Sequence, residues 1–290
     1  MPELPEVETM RRGIADAIGM RVERVEVPQG RLRPLLMQPP PRQLAAEVRG
    51  CVIEAAERYG KRIGLRLVGS ASSRQPTAAG CRWLVIEPRM TGLLLVSTAP
   101  SQEHVRLRLG GRCGRGRPQE LLFWDRRGLG TVRLVDAAGL QQLCGPSRLG
   151  PDALAIDSDT FASRLRASAR AVKVALLDQR AVAGIGNLYA AEMLFHAGID
   201  PRVRCRQLSR PRWARLHTAM QEVLAEAVEL EGSTLSDATY RTALNEPGRY
   251  QSRHRVYGRA GQPCPACGTV IRRIVQAQRS TFFCPQCQRR

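Results

Sequence analysis

The last thirty residues of the chain hold four cysteines at a spacing that can grip a metal ion. Cys264-x2-Cys267 is followed after sixteen residues by Cys284-x2-Cys287. Each Cys-x2-Cys turn offers two thiolates to one ion, and a hairpin between the turns closes a tetrahedron. With all four positions filled, the expected ion is one structural zinc, with no place for a reactive water. Two disulfides are the alternative, and the head of the chain, acidic and without an apolar core, does not look like an export signal. The hairpin strands are expected at Val270–Val275 and Ser280–Phe283, with Arg279 near the tip as the residue the hairpin presents. Residues 241–290 contain ten arginines and one acid, Glu246, so this end is strongly basic.

The other end carries a different chemistry. The chain opens MPELPEVET. Removal of an initiator methionine before proline leaves Pro2 with a secondary amine. An α-amino group titrates near ~7.7–8.0, so part of it is neutral at physiological pH. Such an amine can attack an aldehyde-like carbon and form an iminium. Glu3 stands beside it, with Glu6 and Glu8 close by. Acids favour the first turn of a helix, which accounts for Glu8 better than for Glu3. Among 45 basic residues only Lys61 and Lys173 are lysines. An ammonium can give up a proton where a guanidinium cannot, so both are candidates for a site.

These residues need elements to hold them. Val7, Met10, Ile14 and Ile18 fall at helical spacing within residues 1–19. Short runs at Val22–Val27, Arg62–Val68, Trp83–Ile86, Leu93–Val96, Val105–Leu109, Leu121–Trp124 and Thr131–Val135 suggest a β-sandwich or barrel. Residues 69–80 and 110–119 read as hairpin insertions. Helices are expected at Thr160–Ala167, Val172–Leu177, Ile185–Ala197 and Arg210–Leu230, with a further cap-and-helix segment at Gly232–Leu244. The length of 290 residues and 43% hydrophobic content suffice for one large or two modest domains. The net charge of +19 points to a polyanion, and nucleic acid is the obvious one. No apolar run approaches the roughly 20 residues of a membrane span. The expected location is cytoplasmic, with the nucleoid reached through DNA.

The sequence resembles the bacterial formamidopyrimidine-DNA glycosylases of the Fpg/endonuclease VIII family. The likeness lies in PELPEVET, Lys61 in RYGKRIG, Met90 in RMTG, His104-Val105, Asp125–Gly130 (DRRGLG), LGPDAL at 149–154, GIGNLYAAEMLF at 184–195, GSTLSD at 232–237, VYGR at 256–259 and QAQRSTFFCPQC at 276–287. Leu4, Met90 and Arg127 fit the purine-lesion branch better than the endonuclease VIII branch. The resemblance implies an α+β fold: an N-terminal two-layer β-sandwich with a flanking helix, and a C-terminal helical domain with a helix–two-turn–helix motif and a β-hairpin zinc finger. The implied boundaries are a catalytic domain at 1–135, a linker at 136–150, the helix–two-turn–helix domain at 151–245, and a lesion loop with the zinc finger at 246–290.

It also implies roles. Pro2 resembles the nucleophile that attacks C1′ of a damaged nucleoside, and Glu3 the acid that assists. Lys61 resembles a lysine that holds a phosphate and transfers a proton, and Arg279 joins this catalytic group. Met90 and Arg127 resemble wedges that fill the hole left by a flipped base, Arg127 reading the orphaned cytosine. The third wedge position, aromatic in the family, is Leu129 here. His104, Lys173 and Asn187 resemble DNA contacts. The implied partner is duplex DNA with an oxidised purine, met by a monomer. Three stretches depart from the pattern: Leu129, the run Glu87-Pro88-Arg89 where the family commonly has a histidine, and the loop at 245–255. A non-catalytic DNA-binding protein on the same scaffold is the rival reading; the intact Pro2, Glu3 and Lys61 favour an enzyme.

Overall fold

The computed structural model describes residues 2–28, 33–69, 81–114 and 117–289. The chain divides into two compact units. One comprises residues 1–145 with 231–249, the other 146–230 with 250–290.

The first unit opens with α1 (Leu4–Gly13). Glu3 is its N-cap, Pro5 sits in the first turn where a missing N–H costs nothing, and Glu6 reaches back to accept the Glu3 N–H at 2.8 Å. Nine strands follow: β1 (Arg21–Glu26), β2 (Leu36–Gln38), β3 (Val52–Tyr59), β4 (Arg62–Val68), β5 (Cys81–Glu87), β6 (Gly92–Leu95), β7 (Val105–Cys113), β8 (Arg117–Asp125) and β9 (Thr131–Val135). Among the described residues they form one hydrogen-bonded sheet in the order β2-β9-β5-β4-β3-β1-β7-β8-β6. Leu65 and Leu84 from one half of this sheet share a core with Leu107 and Phe123 from the other. The sheet therefore folds over on itself as a two-layer sandwich. Val7, Met10 and Ile14 of α1 enter the same core, and α1 packs against β3, β4 and β6. Two further helices, α2 (Pro41–Val48) and α3 (Ala137–Cys144), flank the sheet.

The second unit is helical: α4 (Ser158–Leu165), α5 (Val172–Leu176), α6 (Asn187–His196) and α7 (Arg210–Glu229). Phe161 of α4 meets Trp213 of α7 edge-on at 5.8 Å, and α6 packs on α7. A final hairpin, β10 (Arg272–Gln276) with β11 (Arg279–Phe283), completes the unit.

Several expectations need correction. The helix expected over residues 1–19 ends at Gly13, and a short 3-10 turn at Ala15–Ala17 follows. The insertion expected at 110–119 is the outer part of the β7–β8 ladder, paired through Cys113 and Arg117. That expected at 69–80 falls, beyond Gly69, outside the described residues. The linker expected at 136–150 contains α3, capped by Asp136 accepting the Gly139 N–H at 2.8 Å and packed on β5 and β9. The helix expected at Gly232–Leu244 is irregular chain. Glu231, Gly232, Ala238 and Asn245 in and beside it have positive φ, which no right-handed helix allows. The same stretch, expected within a helical domain at 151–245, packs with the first unit from Glu231 onward.

Candidate functional site

Two places in the first unit gather the residues singled out in the sequence. One is the head of α1. Pro2 is buried and Glu3 is 4% exposed. The two acids that follow are committed elsewhere. Glu6 accepts the Glu3 N–H with one oxygen and the Ser233 N–H at 2.9 Å with the other. Gly232 has a φ of +77°, and a Cβ there would come within 2.9 Å of the Glu6 side chain, so this approach requires glycine. Glu8 takes the guanidiniums of Arg11 at 2.7 Å, Arg12 at 2.8 Å and Arg58 at 3.0 Å. Burial alone would push its carboxyl up, but the three guanidiniums prevail and hold it at about 2.

The second place is one end of the sheet. Lys61 lies in the two-residue turn between β3 and β4, with Gly60 at a φ of +58°. The register Ile63↔Ile86 puts this turn beside the end of β5, and Glu87↔Thr131 adds the start of β9. Gly92↔Asp125 brings in the turn before β6 and the end of β8. Lys61, Met90, Arg127 and Leu129 thus share one edge. Met90 and Arg127 are exposed; Lys61 and Leu129 are half-buried. Asp125, fully buried, organises the edge. It accepts the Thr91 hydroxyl, the Arg127 N–H at 3.2 Å and the Gly130 N–H at 2.8 Å. His104 packs edge-on to Trp124 at 5.5 Å, and its carbonyl accepts the Asp125 N–H at 2.9 Å.

In the second unit the turn before α6 is braced by Gln179, which accepts the Gly184 N–H at 2.9 Å and donates to the Ile185 carbonyl at 2.9 Å. Asn187 begins α6. Its Oδ1 accepts from Lys173 Nζ, and its Nδ2 donates to the Ser280 carbonyl at 3.0 Å. Lys173 is fully buried. A DNA contact was expected of it; in the structure its ammonium holds the Asn187 amide. An amide nitrogen has two donors, so Asn187 keeps one beyond Ser280.

Arg279 opens β11, beside Ser280, and is exposed. The turn before it, Ala277-Gln278, has φ of 45° and 61°. Both central residues are left-handed, as a type I′ hairpin turn demands, though neither is the usual glycine or asparagine. The Sγ atoms of Cys264, Cys267, Cys284 and Cys287 lie within 4.8 Å of one another. Cys264–Cys287 and Cys267–Cys284 are 3.9 and 3.5 Å apart. Thiolates around a tetrahedral zinc at about 2.3 Å stand about 3.8 Å apart, so the set fits one structural zinc ion.

Sequence reasoning missed three residues that hold these parts in place: Asp125, Thr91 and Glu192. Glu192 is fully buried in α6 and accepts the N–H groups of Arg255 (2.8 Å), Val256 (3.1 Å) and Tyr257 (2.7 Å). Burial pushes its carboxyl above the usual range, against the pull of those donors. Next to this anchor, burial holds the His254 imidazole down at about 4, between Tyr250 and Tyr257. A lone acid in the apolar run GIGNLYAAEMLF was the available signal for Glu192.

The sandwich with Pro2 at the head of its first helix, the braced helix turn and the four-thiolate hairpin that fits zinc are the parts of a zinc-finger DNA glycosylase fold, and each falls within a domain of one known family. Three family models cover most of the chain: the formamidopyrimidine-DNA glycosylase N-terminal domain over residues 1–132, the formamidopyrimidine-DNA glycosylase H2TH domain over 149–239, and the zinc finger found in FPG and IleRS over 261–290. The formamidopyrimidine-DNA glycosylase of Chloroflexus aggregans is 42% identical over 99% of this chain and 98% of its own. The crystal structure of the MutM (Fpg) protein from Thermus thermophilus matches with a TM-score of 0.81 at 39% identity, covering 99% of this chain and 98% of that one. A MutM in complex with carbocyclic 8-oxo-G containing DNA matches with a TM-score of 0.82 at 30% identity over the whole of both chains. The chain belongs to the formamidopyrimidine-DNA glycosylase family, DNA repair glycosylases with lyase activity. Among the described residues, no helix is long and apolar enough to cross a membrane.

Proposed function

We propose that this enzyme excises oxidised purines, 8-oxoguanine and formamidopyrimidines, from duplex DNA and then nicks the strand through a Schiff base on Pro2. The head of α1 carries the reading. Pro2 and Glu3 are buried there, and the Glu3 backbone is tied to Glu6. A buried, anchored helix head is a fixed site for chemistry. Met1 lies outside the described residues; its removal frees the Pro2 amine.

The steps follow from that amine. A base in a duplex is out of reach until it is flipped from the stack, and this costs a few kcal/mol. Met90, Arg127 and Leu129 fill the hole, with Arg127 donating to the acceptors of the orphaned cytosine. Lys61, His104, Asn187 and Arg279 grip the strand near the lesion, Lys173 acting through Asn187. The Pro2 nitrogen lone pair attacks C1′, the glycosidic bond breaks, and the base leaves with a proton. Glu3 then protonates O4′, the ring C1′–O4′ bond opens, and an iminium joins C1′ to Pro2. Loss of a C2′ proton expels the 3′ phosphate; a second elimination expels the 5′ phosphate. Water releases the sugar fragment and regenerates the amine. The enzyme works as a monomer, in the compartment that holds the DNA.

Borohydride reduction of the iminium should trap the wild-type protein on DNA containing 8-oxoguanine opposite cytosine. Pro2→Gly should trap weakly, and Glu3→Gln should lose base excision. Normal excision by the Glu3→Gln protein overturns the assignment.

A further inference from the structure

The run Glu87-Pro88-Arg89 has no task in the chemistry above, and its geometry gives it one. Glu87 ends β5 directly across from Arg62 of β4, one step beyond the Ile63↔Ile86 pair. Each of its carboxylate oxygens holds a different guanidinium: Oε2 lies 3.3 Å from Arg62 Nε, and Oε1 lies 3.2 Å from Arg89 Nε. Arg62 directly follows Lys61, and Arg89 directly precedes Met90. The Arg62 end of this clamp is fixed, because its Nη1 also donates to the Leu143 carbonyl at 2.7 Å.

The Arg89 end needs holding. Arg89 has a φ of +54°, a region that a side chain with a Cβ rarely adopts unless its surroundings compel it. The turn around it is closed by the Gly92 N–H on the Pro88 carbonyl at 2.9 Å, and a Cβ at Gly92 would stand 2.5 Å from that oxygen. An acid at an edge that faces phosphates repels them unless it is neutralised. Here two guanidiniums neutralise it and leave the cluster positive.

We propose that Glu87 is a positioning residue that sets Met90 against Lys61 by clamping Arg89 and Arg62. This rests on the reading of Met90 as the wedge that fills the flipped base's place. Glu87 touches no reacting atom. It keeps the wedge turn in register with the lysine turn, so its effect belongs to base extrusion. Nicking at a preformed abasic site removes no base from the stack and should not depend on it.

The test compares single-turnover excision of 8-oxoguanine with nicking of abasic DNA. Glu87→Gln should lower excision by about fivefold, the scale of a partly exposed ion pair, and leave abasic nicking unchanged. Arg89→Ala should reproduce this loss, and the double variant should add nothing to it. In a Met90→Ala background Glu87→Gln should have no effect on excision. An unchanged ratio of the two activities overturns the proposal. So does a parallel fall of both activities with the thermal midpoint, or a loss that persists without Met90. A wild-type protein that excises nothing overturns the proposed function and this inference with it; normal wild-type excision with an unchanged ratio in Glu87→Gln overturns the role of Glu87 alone.

Discussion

Asp125 and Glu192 are both fully buried carboxylates that accept backbone N–H groups, and these two do so over very different distances. Asp125 in the first unit accepts from Arg127 and Gly130, within five residues of itself, and from the Thr91 hydroxyl on the neighbouring turn. Glu192 in the second unit accepts from three consecutive amides, 63 to 65 residues further along the chain. Both satisfy orphan donors of an irregular segment that a sheet or helix cannot serve. The difference lies in what each fixes. Asp125 shapes a loop at the end of its own strand. Glu192 fastens a distant stretch onto a helix. A local anchor survives if the rest of the unit loosens; a remote one depends on the whole unit.

Zinc offers the largest way to break this comparison. Structural zinc binding supplies about 10–16 kcal/mol of folding energy in small modules. Asn187 hydrogen-bonds Ser280 in the zinc hairpin. Stripping the metal, or Cys284→Ser, should therefore release Asn187 and the hairpin, and sharply weaken DNA binding, while the Asp125 loop stays formed. Elemental analysis, titration with DNA and hydrogen exchange at 125–130 would check this. Equal loosening of both regions would erase the distinction.

Smaller effects come from the carboxylates themselves. Glu192→Gln and Asp125→Asn each put an NH2 against N–H donors that need an acceptor, at a cost of about 1–3 kcal/mol. Thermal unfolding should register both. Hydrogen exchange should then differ: Asp125→Asn should speed only residues 125–130, and Glu192→Gln should speed residues 255–257 together with the helix that carries it. Exchange confined to 255–257 would show that the remote anchor is as local as the other.

The smallest expected effects concern what the Asp125 loop presents. Arg127→Ala should relax the preference for cytosine over adenine opposite 8-oxoguanine, measured by paired excision assays. Leu129→Phe should keep or tighten lesion binding, since base–aromatic stacking is worth roughly 1–3 kcal/mol and leucine has no π face. An unchanged cytosine-to-adenine ratio in Arg127→Ala would remove that residue as the reader.

How far the sequence revealed this depends on how each residue works. β4 and β9 were legible to the residue, because their alternating apolar positions are bounded by turns. α7 was legible because Trp213, Leu216, Met220, Val223 and Ala227 repeat at helical spacing along one buried face. The three-residue β2 and the Pro-led α2 carry too short a pattern to be seen. The four cysteines stand out because thiolate spacing is itself the chemistry, and Pro2 because its amine is. Glu192 acts on amides, and Glu87 on Arg62, that only folding brings near; of these partners only Arg89 stands in the acid's own neighbourhood, and it does not announce the clamp. Lys173 was noticed for its rarity, but its burial and its bond to Asn187 come from folding, which its sequence does not display.

The return of residues 231–249 to the first unit bears on how the chain is made. Ser97 bonds the Ala243 carbonyl 146 residues later, at 3.2 Å, and Glu6 waits for the N–H of Ser233, 227 residues away. On a ribosome working at ~5–20 residues per second, these partners arrive several seconds to tens of seconds after the strands they join. The helices α4 to α7 of the second unit are synthesised in that interval. The head of α1 is thus made long before the segment that secures it. A fragment ending at Gly145 would carry all nine strands and still leave Glu6 without its Ser233 donor.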